Sequence, residues 1–247
     1  MTYETVLYEK KDKVGILTLN RPKQLNAVSM QMGREIEDVV DEVDRDDDVG
    51  VLIITGSGRA FCVGADIKEV RPDIDLLHRI NVRRNISGMG HKFYQQIEDL
   101  GKPVIAAIQG HCLGGGLELA MACDLRIAAE DARISDQHSQ IGVIGGAGST
   151  QRLFRLIGIT KAKEMIFTGL PIDGTEAYRI GLVNKVVPSE SLMDEAMKMA
   201  QVITERSPLI LKLTKMCIND GMQMDLHSAL EYEQKCFTIA ALRWMAE

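Results

Sequence analysis

Two short runs of the chain are apolar almost without interruption, VLIITG over 51–56 and PVIAAIQG over 103–110, and DLRIAAE over 124–130 reads as a further strand. A strand with one wet face alternates apolar and polar residues, so runs without alternation need cover on both faces. Helical or glycine-rich stretches lie between them. Ser29 reads as the N-cap of a helix through about Asp44, with Met32, Ile36, Val39, Val40 and Val43 on one face. A long polar helical stretch covers 74–99. Strands and helices alternating in this order predict an α/β fold whose sheet is buried on both sides. At the N-terminus, segments 3–9 and 13–20 flank the charged turn KKD and read as a hairpin. GSGRAFCVGADIKEV reads as a loop and 132–150 as a glycine-rich connection. From Thr150 onward helical signals dominate, with one break at LVNKVVP (182–188). Two regions are therefore expected, an α/β core over 1–190 and a helical C-terminal region over 191–247.

At 247 residues the chain is long enough for a large buried core. Aromatics at 4% and a net charge of −6 argue against a nucleic-acid surface. The five cysteines are scattered, with no CxxC or Cys/His spacing, so no metal site is predicted and free thiols in a reducing compartment are. The opening residues MTYETVLYEKKDK lack an apolar signal core, and no apolar stretch approaches the ~20 residues that cross a bilayer. A cytoplasmic protein without membrane contact is expected.

The stretch GHCLGGGLELAMACD (110–124) follows one of the apolar runs and opens a helix. Glycine loses the most backbone freedom on folding, so three in a row need a reason. One is chemical: N–H groups at a helix start lack intrahelical partners and suit an anion or a developing negative oxygen. Glu118 would then sit in the first turn, where the helix dipole favours a carboxylate. The other reason is close packing of the helix on a strand. No GxGxxG follows the first strand, and GxxxxGK[ST], GxSxG and HExxH are missing. Dinucleotide, P-loop and serine-hydrolase readings are thereby disfavoured. A second glycine loop, FCVGAD (61–66), also follows a strand. Two such loops could each aim one N–H at a single oxygen, an oxyanion hole in which each donor is worth roughly 10²–10³ in rate.

The blocks NRPKQLNAVS, AFCVGADIKEV, KPVIAAIQGHCLGGGLELAMACDLRIA, GAGSTQRL and AYRIGLVNKVVP resemble the signature segments of the crotonase (enoyl-CoA hydratase/isomerase) superfamily, in order and spacing, over about 1–240. The resemblance implies a spiral of ββα units followed by a helical region used in trimerisation, hence a homotrimer or dimer of trimers. It implies an acyl-CoA thioester substrate and no separate cofactor, coenzyme A being part of the substrate. The thioester oxygen would rest on the backbone N–H groups of Ala65 and Gly115, with Glu118 as acid/base. Val63, Gly64, Ala65, Asp66, Ile67 and Gly114 would contact CoA or substrate, with Lys23 and Lys68 near the phosphates.

The main departure from the pattern is at one position. His138 stands where hydratases of the superfamily carry their second glutamate. It could act as an acid/base, orient a substrate polar group, or be structural; Asp136, two residues earlier, could turn inward in its place. Gly145 stands where proline is common, and 144–148 hold no additional acid. His111 reads as a packed or surface residue, His78, His91 and His227 carry no assigned role, and Cys62 and Cys112 read as packing residues. The leading expectation is hydration of a 2-enoyl-CoA, or the reverse dehydration. The alternatives are double-bond isomerisation, C–C or ring hydrolysis and decarboxylation on an acyl-CoA. A non-catalytic acyl-CoA-binding or RNA-binding member is the reading from a different class.

Overall fold

The computed structural model describes residues 3–69 and 92–246. Strands β1 (Val6–Lys11), β2 (Val14–Leu19), β3 (Val51–Gly56), β5 (Val104–Ile108), β7 (Leu125–Ala129) and β9 (Lys185–Val187) form one sheet in that spatial order. Only β1 and β2 pair antiparallel; every later neighbour is parallel. The unalternating runs are explained by the two faces. Val51 and Ile53 enter one core with Ile105 and Ala107, while Leu52 and Ile54 enter the other with Val104, Ala106 and Ile108. Both faces of β3 and β5 are dry, so neither parity carries a charge in these two strands.

Helix α1 (Met30–Arg45) covers the larger core, and Ser29 Oγ caps it by accepting from Met32 N at 3.0 Å. The five residues expected on its inner face are all buried. The opposite face of the sheet is closed by α7 (Leu192–Thr204), whose Leu192, Ala196 and Ala200 pack on Val14, Ile16 and Val51. This helix therefore belongs to the core, and α8 (Pro208–Gly221) and α9 (Leu226–Ala246) extend beyond it. Lys215 on α8 reaches back to Asp124 Oδ2 at 2.8 Å.

A second sheet, of three parallel strands, was not expected from the sequence. It joins β4 (Ala60–Cys62), β6 (His111–Leu113) and β8 (Arg133–Ser135). β4 lies inside the segment read as a loop, and β8 inside the segment read as a glycine-rich connection. Three-residue strands are too short to show a period. The break at 182–188 likewise contains a strand, β9, on the edge of the main sheet. The hairpin turn is shorter and later than expected: β1 runs through Lys11, β2 begins at Val14, and Asp12 takes the left-handed conformation at φ 53°. Of the predicted helix over 74–99, the described part is α2 (Lys92–Asp99); the rest, with His78 and His91, lies outside the described residues.

The small sheet matters because of where its strands end. Beyond Cys62, Leu113 and Ser135 the chain leaves the carboxyl edge of β4, β6 and β8, the side on which α/β folds bind ligands. Those three exits carry Gly64–Ala65, Gly114–Gly115 and Asp136–His138. Segments far apart in sequence thus reach one place.

Candidate active site

Each of the three glycines has its own reason. Gly114 takes φ 52° as the residue before α3 (Gly115–Ala122), a conformation costly for any other residue, and a Cβ there would come 3.7 Å from His138 Nε2. A Cβ on Gly115 would meet the Tyr94 hydroxyl at 3.0 Å and Gly64 Cα at 3.1 Å. On Gly116 it would overlap the carbonyl oxygen of Cys62. Close packing and an open helix start are therefore both served. At the other end of α3 the buried Arg126 guanidinium donates to the carbonyls of Cys123 (2.7 Å) and Ala120 (3.3 Å), satisfying the last turn.

Gly64 faces this helix start, with φ 91° and no room for a side chain: a Cβ would lie 2.8 Å from Gly115 N. Val28 N donates to Gly64 O at 2.8 Å and Asp66 N donates to Val28 O at 2.9 Å, which fixes the loop on both sides of Ala65. Among the described residues, neither Ala65 N nor Gly115 N donates a hydrogen bond to the protein. The two unengaged N–H groups flank one another across the Gly64–Gly115 contact, the arrangement that can hold a developing oxyanion. Tyr94 Oη donates to Gly115 O at 3.2 Å, holding the next peptide of the helix start, and burial pushes the phenol well above its ordinary value.

Glu118 lies one turn into α3 and is 2% exposed. Its Oε1 accepts from Ala147 N and Ser149 N, both at 2.9 Å. Those donors come from the first residue of α4 (Ser149–Ile157) and from the loop just before it, so one carboxyl oxygen is held and the other is directed elsewhere. Oε2 faces His138 Nε2 at 3.7 Å. That is longer than a hydrogen bond.

His138 opens a short 3₁₀ turn (His138–Ile141) after β8. Its Nδ1 lies 3.0 Å from Asp136 Oδ1, which also accepts from His138 N at 3.2 Å. The hydrogen bond to Asp136 raises the imidazole above its ordinary value; burial works the other way, and the charges of Asp136 and Glu118 add to the rise. For Asp136, burial by itself would raise the carboxyl, but the hydrogen bonds and charge of His138, with the nearby Ser149 hydroxyl, outweigh it and hold the group below the usual range. The Ser149 hydroxyl faces Asp136 without a well-formed hydrogen bond, and both Ser149 Oγ and Asp136 Oδ2 are buried. Asp136 therefore does not take the place of His138 beside Glu118; it stands behind the ring.

The remaining candidates lie on the surrounding loops. Lys23 is exposed on a 3₁₀ turn (Pro22–Gln24), and Lys68 and Ile67 are exposed past the Ala65 loop. The Asp66 carboxylate pairs with Arg21 at 3.0 Å, tying the segments that carry Lys23 and Lys68 to each other. Val63 is half-buried behind them. Sequence does not reveal Tyr94 or the Arg21–Asp66 pair, because no local pattern marks a partner far along the chain, and it leaves open which way the Asp136 loop turns. Cys62 and Cys112 are fully buried packing thiols, and burial pushes Cys62 up to about 12. His111 is half-buried on β6, and His227 is an exposed residue 3.5 Å from Glu231. A cavity of about 510 Å³ borders the site through Tyr94 and Ala147 but is not lined by Glu118 or His138; Glu98, Arg152 and Arg155 make it polar. Among the described residues no His, Cys, Asp and Glu cluster could hold a metal.

A parallel α/β scaffold with two open N–H groups and a buried carboxylate at its strand ends defines a class, enzymes able to stabilise an oxyanion while moving a proton. The family model described as enoyl-CoA hydratase/isomerase matches residues 9–241. The chain belongs to that family. It is 43% identical over 238 residues to the short-chain-enoyl-CoA hydratase of Clostridium acetobutylicum, covering 96% of this chain and 89% of that protein. To the crotonyl-CoA hydratase of Syntrophomonas wolfei it is 42% identical, covering 96% and 90%. An enoyl-CoA hydratase crystal structure from Geobacillus kaustophilus superposes with a TM-score of 0.89 at 37% identity, over 97% of this chain and 91% of that one. The expected crotonase-type fold is confirmed by that likeness.

Proposed function

We propose that the protein adds water to a short-chain 2-enoyl-CoA thioester, or removes it in the reverse direction. Support comes from family membership, from the names of the two hydratases above and, above all, from Glu118: one oxygen held by two N–H donors, the other open toward His138. The thioester oxygen would accept from Ala65 N and Gly115 N. Glu118 Oε2 takes a proton from water as its oxygen bonds to the β-carbon, and the electrons of the double bond move onto the thioester as an enolate. The imidazolium of His138 then delivers its proton to the α-carbon. One water has been added; Glu118 now holds the proton that His138 has lost. Transfer from Oε2 to Nε2, 3.7 Å away and within reach of one bridging water, restores both groups.

Lys23 and Lys68 are proposed to meet the CoA phosphates, and backbone groups of Val63–Ile67 and Gly114 the rest of the thioester. No helix among the described residues is long and apolar enough to cross a membrane, and all five cysteines are free thiols, which suits a cytoplasmic setting. A homotrimer or dimer of trimers is proposed; the exposed Phe237, Leu242 and Trp244 of α9 are apolar area that assembly could cover.

The test is a mass-resolved assay with a panel of 2-enoyl-CoA esters that includes crotonyl-CoA. A product eighteen mass units heavier is expected. Product of unchanged mass, with the double bond moved, would replace hydration by isomerisation. Unreacted esters that still bind would leave a CoA-ester-binding protein.

A further inference from the structure

A histidine beside Glu118 needs something that a glutamate in its place would not: its two ring nitrogens must be told apart. A neutral imidazole carries one proton, and whichever nitrogen donates elsewhere leaves the other as acceptor. Here Nδ1 is 3.0 Å from Asp136 Oδ1, and Nε2 points to Glu118. Asp136 is fully buried, its second oxygen has no well-formed hydrogen bond, and the buried hydroxyl of Ser149 faces it. Space for that hydroxyl depends on Gly145, where a Cβ would overlap Ser149 Oγ. A buried carboxylate with one unsatisfied oxygen is expensive unless an adjacent cation uses it.

We propose that Asp136, backed by Ser149, is a positioning residue: it holds Nδ1–H of His138 and so reserves Nε2 for the proton exchanged with substrate and Glu118. Among the described residues the groups facing the ring are few. Asp136 comes from the same loop, Glu118 from α3, and the Gly114 backbone packs against Nε2 without charge. After the proton has gone to the α-carbon, the neutral ring keeps Nδ1–H on Asp136, and Nε2 is the acceptor that can be recharged from Glu118. Without Asp136 the ring could hold its single proton on Nε2, the wrong tautomer for recharging.

The kinetic part rests on the hydration reading; the titration part does not. In Asp136→Asn, the His138 ring resonances followed by NMR should titrate at a lower pH than in the parent protein. With crotonyl-CoA, kcat should fall about 100-fold with KM within about threefold, the size of a misplaced acid/base. A second comparison separates positioning from folding. In a His138→Glu background there is no ring to orient, so adding Asp136→Asn should leave kcat unchanged or raise it by removing a like charge. An unmoved His138 titration, or an equal loss in both backgrounds, overturns the proposal. Absence of hydration by the parent protein, with the titration still shifted by Asp136→Asn, would overturn the hydratase reading and leave the positioning intact.

Discussion

His138 Nε2 lies 3.7 Å from Glu118 Oε2 while Nδ1 of the same ring is held by Asp136 Oδ1 at 3.0 Å. The imidazole is thus set between two buried carboxylates of different attachment. Glu118 is fixed by backbone donors at the approach to α4, and Asp136 by the ring and the backbone N–H of His138. With the ring protonated the three groups carry one net negative charge, and the mobile proton sits on the member that touches both others.

Glu118→Gln should lower kcat for hydration by about 10²–10⁴ with little change in KM. The amide oxygen can still accept from Ala147 and Ser149, so the fold is kept and only the proton acceptor is lost. Steady-state kinetics with crotonyl-CoA checks this; parent-like turnover would remove Glu118 from the chemistry.

Gly145→Ala places a methyl against Ser149 Oγ and 2.9 Å from Glu118 Oε1. The loop must shift, with a stability cost of about 1–3 kcal/mol and at least a tenfold loss of kcat expected from the displaced carboxylate. Adding Ser149→Gly should restore part of both. Urea unfolding and kinetics on the two variants give the comparison.

The Asp136–His138 pair should make stability depend on pH on two sides. His138 is raised above 6.5 in the folded protein, so its contribution is complete below about that pH and is lost as pH rises through the raised value. Asp136 is lowered from 3.8, so its contribution is present above that pH and is lost as pH falls through the lowered value. The destabilisation by His138→Gln should accordingly be larger at about pH 5.5 than at about pH 8.5. Urea midpoints of the two proteins at both pH values measure it; equal differences would disprove the linkage.

Lys215→Met should destabilise the protein by about 3–5 kcal/mol, because it leaves the largely buried Asp124 carboxylate without its cation. Burial already raises that carboxyl against the pull of Lys215. Asp124→Asn in the same chain should recover most of the loss, since an amide oxygen can still accept from Val104 N. Chemical denaturation of the single and double variants tests the pair.

The elements that were readable share one property: their signal is local. Ser29 and Met32 are three residues apart, and the inner face of α1 repeats within one helix. The dry strands β3 and β5 announce themselves by the absence of charged residues and of apolar–polar alternation within five or six positions. Glu118 was legible because glycines and carboxylate share one turn. His138 was picked out only as a departure from a resemblance, with its role left open among three.

What lay beyond reading is non-local. β4, β6 and β8 are three residues each and exist because they pair with one another across about fifty and about twenty positions of chain. Glu118 meets its donors 29 and 31 residues away, and Tyr94 reaches Gly115 across 21. Asp136 could as well have faced solvent or Glu118, for nothing in SDQHSQIG decides how the loop turns. Local sequence settles backbone conformation, through burial periodicity and the freedom of glycine, and with it where open N–H groups and a carboxylate can occur. Which side chains then meet is set by the spacing of strand ends in the assembled sheets. That spacing placed an imidazole between two carboxylates.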